Sequence, residues 1–69
     1  MNVVHVRKAS LRLYGIEPVD VTFRIYHNSH YMLRTTDQYG TDWMGGSYPT
    51  LEAALAEADR IEKRYGSWD

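Results

Sequence analysis

The chain reads as an α+β domain, an antiparallel sheet of three to four strands with one C-terminal helix packed on one face. Three observations predict this. Val19, Val21, Phe23 and Ile25 alternate with Asp20, Thr22, Arg24 and Tyr26, the period of two that marks a strand with one buried face. Turn-forming residues then punctuate the chain at 27–29, 37–40 and 45–49. Finally, Leu51, Ala54, Leu55, Ala58, Ile61 and Tyr65 recur at helical spacing, a stripe about 120° wide that suits a sheet-covering helix.

Taken in order, the elements read β-β-β-β-α. In the first strand Val4 and Val6 hold the even phase while Leu11 and Leu13 hold the odd one, so a face switch is expected within Lys8-Ala9-Ser10. Gly15 to Pro18 is the turn into the second strand, because Gly accepts positive φ and Pro18 pushes Glu17 to extended geometry. After Ile25, a three-residue loop at His27-Asn28-Ser29 pairs Ile25 with Tyr31 and Phe23 with Leu33. A two-residue turn would instead place Arg34 on the core face, and a one-residue slip inverts every side chain. Asp37-Gln38-Tyr39-Gly40 is a further turn, from which Thr41 to Met44 returns as a short fourth strand with Trp43 inward. Residues 45–49 are expected to be loop. Thr50 is the helix N-cap, Glu52 complements the helix dipole, and Lys63, Arg64 and Gly66 mark the far end.

With 69 residues, the chain is one domain spanning 1–69, and a two-domain enzyme is excluded. It has no cysteine, so neither a disulfide nor a thiolate zinc site supports the core. No basic-then-apolar leader and no apolar run of membrane-spanning length are seen, and a cytoplasmic location is expected. The net charge of −1 conceals a split. Residues 1–36 carry +3 and residues 37–69 carry −4.

Each pole suggests a binding surface. One helix covers only one face of a sheet, so Arg12, Tyr14, Thr22, Arg24, Tyr26, His30, Met32, Arg34 and Thr36 are expected on an open face. Arg12, Tyr14, Arg24, Tyr26 and Arg34 are the residue types that dominate binding hot spots. The competing interpretation is an ordinary solvated face, where Arg stems and Tyr rings supply β-propensity. In the acidic half, Asp37, Asp42, Glu52, Asp59 and Glu62 come from a turn, a strand and a helix flank. Brought together, they could occupy a basic groove meant for nucleic acid. Their simpler reading is a solvated helix with an Asp59–Lys63 pair.

Direct nucleic-acid binding would use the Arg residues for phosphates and the Tyr residues for stacking. The near-neutral charge and the lack of a Lys/Arg cluster beyond Arg7-Lys8 speak against it. Enzymatic chemistry finds little footing. His27 and His30 flank a hairpin tip, but this spacing on a turn does not aim both rings at one metal, and no third ligand has a matching position. Gly45-Gly46-Ser47 lacks the ending a phosphate loop needs. No metal or cofactor is expected. Trp68 is either a tail residue folding back onto the core or an exposed anchor.

The run Ser47 to Ala58, following three antiparallel strands, resembles the strand-to-helix passage of HicB-type antitoxins, whose T-L-E-E-A-L-like helix lies on a partial RNase H sheet. Where those proteins carry an F-P-D-L-P-G-like segment, this chain has Asp42-Trp43-Met44-Gly45-Gly46. In layout, a cysteine-free sheet plus one helix with an acidic second half, the chain is also similar to the small phage-encoded anti-CRISPR proteins. That resemblance implies a stoichiometric inhibitor, encoded by a phage or mobile element, of a Cas component. Both resemblances imply an inhibitor that works by occupying a protein surface, and a monomer or weak homodimer is expected.

Overall fold

The computed structural model describes residues 2–12, 17–43 and 45–66. Four strands, β1 (Asn2–Leu11), β2 (Val19–Asn28), β3 (His30–Asp37) and β4 (Gly46–Tyr48), form one antiparallel sheet in the order β1-β2-β3-β4. The helix α1 (Leu51–Gly66) covers one of its faces. This is the β-β-β-β-α arrangement that the hydrophobic pattern predicts. The Cα envelope is only 15 Å through its thin axis, enough for a sheet and one helix, and among the described residues the second sheet face has no layer above it.

The alternation in β2 is realised as read: Val19, Val21, Phe23 and Ile25 are all buried. Leu11 and Leu33 join them from the flanking strands, and Ala54, Ala58 and Ile61 close the core from α1. Two fully buried alanines let the helix backbone come down close to the sheet. Burying each large apolar side chain here stabilises the fold by about 1.5–3 kcal/mol. Thr50 caps the helix as expected, its Oγ1 accepting from Ala53 N–H at 3.1 Å.

Three local expectations are corrected. First, β1 runs unbroken through Lys8-Ala9-Ser10, and its irregularity lies upstream, where Val3 pairs with Tyr26 and His5 with Ile25, leaving Val4 as the extra residue. From there the odd residues His5, Arg7, Ala9 and Leu11 face the helix, while Val4 and Val6 are 43% and 54% exposed. The cause is Arg7. Its guanidinium sits 5.5 Å from the Phe23 ring centroid and meets Asp59 and Glu62 of α1, so a charged residue takes the inner phase and displaces the valines outward.

Second, the β2–β3 register differs by two residues from the one expected: Ile25 pairs with Leu33 and Phe23 with Thr35. The ladder continues to Asn28–His30, with Ser29 alone at the apex at φ 63°. A slip of two preserves parity, so Tyr31, Leu33 and Thr35 still face inward. Third, β4 forms from residues 46–48 within the expected loop, while the described part of the expected fourth strand, Thr41 to Trp43, supplies an isolated bridge between Asp42 and Thr36. Trp43 N–H also donates to Thr35 O at 2.7 Å, so the returning chain tracks β3 twice. Between the two contacts Gly45 passes so near β3 that a Cβ there would collide with the Leu33 carbonyl oxygen.

The Asp37–Gly40 turn forms where expected, closed by Gly40 N–H to Asp37 O at 3.1 Å. Leu13, Tyr14, Met44, Trp68 and the first half of the turn expected at Gly15 to Pro18 lie outside the described residues. Among those described, no helix is long and apolar enough to cross a membrane.

Candidate interaction surface

The centre of the uncovered sheet face is built from three cross-strand rows. Directly opposite residues in an antiparallel pair share a face, with Cβ atoms about 4.5–5.5 Å apart. One row runs Val3–Tyr26–Met32–Ser47, the next Val6–Arg24–Arg34, and the third Lys8–Thr22–Thr36, with Asp42 bridged to Thr36. An apolar row thus borders a cationic one. Val6, Lys8 and Arg34 are exposed, while Tyr26, Met32 and Arg24 are half-buried by their neighbours.

Arg24 and Arg34 stand directly opposite one another. Like charges in that arrangement are unfavourable unless compensated. Arg34 is compensated: its Nη2 donates to Asp42 Oδ2 at 2.7 Å, and Thr36 Oγ1 donates to Asp42 Oδ1 at 3.1 Å. The Arg34 hydrogen bond, then that of Thr36, then the Arg34 charge hold the Asp42 carboxyl below its ordinary value. Arg24 has no hydrogen-bond or ion-pair partner among the described residues. The surface therefore holds one satisfied guanidinium beside one whose hydrogen-bonding capacity within the fold is unspent.

Of the other residues expected on this face, Tyr14 lies outside the described residues, and Arg12 and His30 sit at its two ends. Arg12 lies one residue beyond β1, exposed, its N–H donating to Tyr65 O at 2.8 Å at the end of α1. Six residues from the Val6 row, it is about 20 Å away along the strand. His30 sits at the hairpin tip, its Nδ1 3.3 Å from Ser29 Oγ. His27 belongs to the helix-side face, where its ring stacks on Tyr31 at 4.3 Å and 14°. Strand alternation therefore puts His27 and His30 on opposite faces. No group of three His, Asp or Glu side chains able to hold a metal is found among the described residues.

The acidic residues are dispersed. Asp37 is buried, its Oδ1 accepting from Tyr39 N–H at 2.8 Å and Thr41 N–H at 3.0 Å and its Oδ2 from Trp43 Nε1–H at 2.7 Å. It fastens the turn to β3. Asp42 belongs to the open face, Glu52 to the exposed start of α1. Only Asp59 and Glu62 adjoin. They lie 2.7 and 3.1 Å from the Arg7 guanidinium and, with Ser10, Lys63 and Gly66, line a shallow groove of about 330 Å³. Asp59 thus pairs with Arg7 of the sheet, where the sequence suggested Lys63. The opposite poles of the sequence partly neutralise one another in the fold.

Val6 and Lys8 are members of the open face that sequence reading placed elsewhere or left unassigned. The signal that could have found them is the pair of carboxylates at Asp59 and Glu62 on the edge of the helix stripe, a ready partner for an inward Arg7. In comparisons with known proteins, no family model, no curated protein and no solved structure matches the chain.

Proposed function

We propose that this chain is a non-enzymatic, stoichiometric protein inhibitor, encoded by a phage or mobile element, that acts by laying its open sheet face on a nucleic-acid-handling protein of the host cytoplasm. In its narrowest form the target is a CRISPR-Cas effector. The observation that carries the reading is the Arg24–Arg34 row, solvent-facing and bordered by Tyr26, Met32 and Val6. Arginine and aromatic side chains beside apolar ones are the composition of binding hot spots. The acidic residues support it less, because Asp37 is buried and Asp42, Asp59 and Glu62 are already paired. A standard interface of about 800 Å² per partner would cover a substantial part of the 4624 Å² surface.

The test titrates a purified effector–guide complex with the chain and follows target-DNA binding and cleavage. Stoichiometric loss of activity is expected, with Arg24→Glu inactive and Glu52→Lys as effective as the parent. Full activity at excess inhibitor overturns the Cas reading. A second reading, a sheet-based DNA-binding module, draws on the lack of a counter-ion at Arg24 among the described residues. A duplex-DNA mobility shift at low salt that Arg24→Ala weakens would favour it.

A further inference from the structure

We infer that the open face recognises a carboxylate-bearing apolar protein segment, an acidic peptide, rather than phosphates or a basic groove. This inference rests on the reading that the chain acts by binding a protein through this face. Arg24 is the pivot. It is half-buried, it faces Arg34, and no carboxylate of the chain answers it among the described residues. Arg24 is half-buried, flanked by Thr22 and Tyr26 on its own strand and directly opposite Val6 and Arg34, and from that place on the sheet its planar fork suits a bidentate carboxylate better than a diffuse cloud of counter-ions.

The neighbouring row fixes what else the ligand carries. Tyr26 and Met32 lie two residues along their strands from Arg24 and Arg34, a separation of about 7 Å. An extended segment presents residues i and i+2 on one side at that same spacing. The matching ligand therefore has a carboxylate and an apolar side chain in alternate positions, the first on Arg24 and the second on Tyr26 and Met32. Nucleic acid fits less well. Asp42 stands on the same face beside Arg34, and Asp20, two residues from Thr22, follows the cationic rows on β2. A run of phosphates would meet both, whereas a single carboxylate meets neither.

The experiment is an NMR titration of the isotope-labelled full chain with Ac-Thr-Leu-Thr-Glu-Thr-Leu-Thr-NH2, its Glu-to-Gln counterpart, and a 12-base-pair DNA duplex. Expected are saturable shifts at Val6, Arg24, Tyr26, Met32 and Arg34 with the acidic peptide, and at least about tenfold weaker binding, or 1.4 kcal/mol, for the Gln peptide. Arg24→Gln should weaken the acidic peptide by a similar factor with its spectrum otherwise unchanged, and Arg24→Lys should fall between. No saturation by about 5 mM, a Kd too weak for this recognition, overturns the inference. So do equal binding of the Gln peptide, shifts confined to the helix, or binding of the duplex alone. Inhibition of an effector without peptide binding would defeat this inference only, and peptide binding without inhibition of any effector would defeat only the inhibitor reading.

Discussion

The Arg7 guanidinium of β1 lies 2.7 Å from the Asp59 carboxylate of α1, across 52 residues of sequence. This contact fixes the phase of the edge strand and, through it, the composition of the opposite face. If Arg7 is inward, Val6 and Lys8 are outward, beside Arg24 and Thr22.

Shortening Arg7 should reveal how the contact stabilises the fold. Asp59 and Glu62 remain substantially exposed, at 60% and 46%, so losing the cation leaves them solvated rather than stranded. The larger loss is the packing of the long Arg7 side chain, whose guanidinium carbon lies over the Phe23 ring. Arg7→Ala is expected to cost about 1–2 kcal/mol and Arg7→Met about 0.5 kcal/mol or less, measured by urea denaturation. Equal losses in the two variants would mean that charge, not packing, dominates.

Thr35 offers the opposite sign. It is 1% exposed, and its Oγ1 has no hydrogen-bond partner among the described residues. A hydroxyl desolvated without compensation costs about 1–3 kcal/mol. Thr35→Val keeps the shape and β-branching while removing the unmet group, so the urea midpoint should rise, by about 1 kcal/mol in stability. A fall in the midpoint would indicate that the hydroxyl is satisfied in solution.

Two glycines separate conformational from steric constraint. Gly40 sits at φ +85° with nothing near its missing Cβ, so Gly40→Ala should cost about 1 kcal/mol from backbone strain alone. At Gly45 a Cβ would strike the Leu33 carbonyl oxygen, which belongs to the β3 backbone and cannot rotate away. Gly45→Ala should cost more than about 2 kcal/mol and release the β3–β4 ladder, visible as faster amide exchange at 46–48. Comparable costs at the two positions would show that β4 shifts easily.

How far the fold was legible follows from which residues hold their information locally. The β2 alternation and the helix stripe are repeated over seven or more positions, and both survive intact. The hairpin parity was legible too, because moving Arg34 inward has an obvious cost. Its exact register was not. That depends on Ser29 adopting φ 63°, a conformation a serine does not advertise. The phase of β1 was illegible because it is decided by Arg7 meeting a helix 52 residues away. The register error concealed the Arg24–Arg34 opposition, since the expected register put Met32 opposite Arg24, and the β1 error concealed Val6 beside it.

Asp42 carries the pH dependence of this face. The Arg34 hydrogen bond, with Thr36 and the Arg34 charge behind it, lowers its pKa below 3.8. A carboxyl depressed in the folded state contributes stability that is present above its unfolded pKa and lost as pH falls through the folded one. The window is therefore below pH 3.8, and neutral pH should leave the contact intact. Carboxyl NMR titration should place Asp42 below the ordinary value, and Arg34→Gln should return it upward. An unchanged Asp42 in that variant would show that the ion pair is not populated in solution.

The face also predicts a conflict between stability and binding. Arg24 and Arg34 are directly opposite, so the wild-type pair is repulsive apart from what Asp42 offsets. Arg24→Glu converts the row into an opposite-charge pair, which in a cross-strand position is worth about 0.2–1 kcal/mol. The same change removes the guanidinium proposed to receive a carboxylate and sets a negative charge in its place. The variant should therefore unfold at higher urea than the parent while losing the acidic peptide and the inhibitory activity together. Gains in stability with lost function mark residues kept for binding rather than for the fold. If Arg24→Glu destabilises the chain instead, Arg24 serves the sheet, and the open face is an ordinary solvated surface.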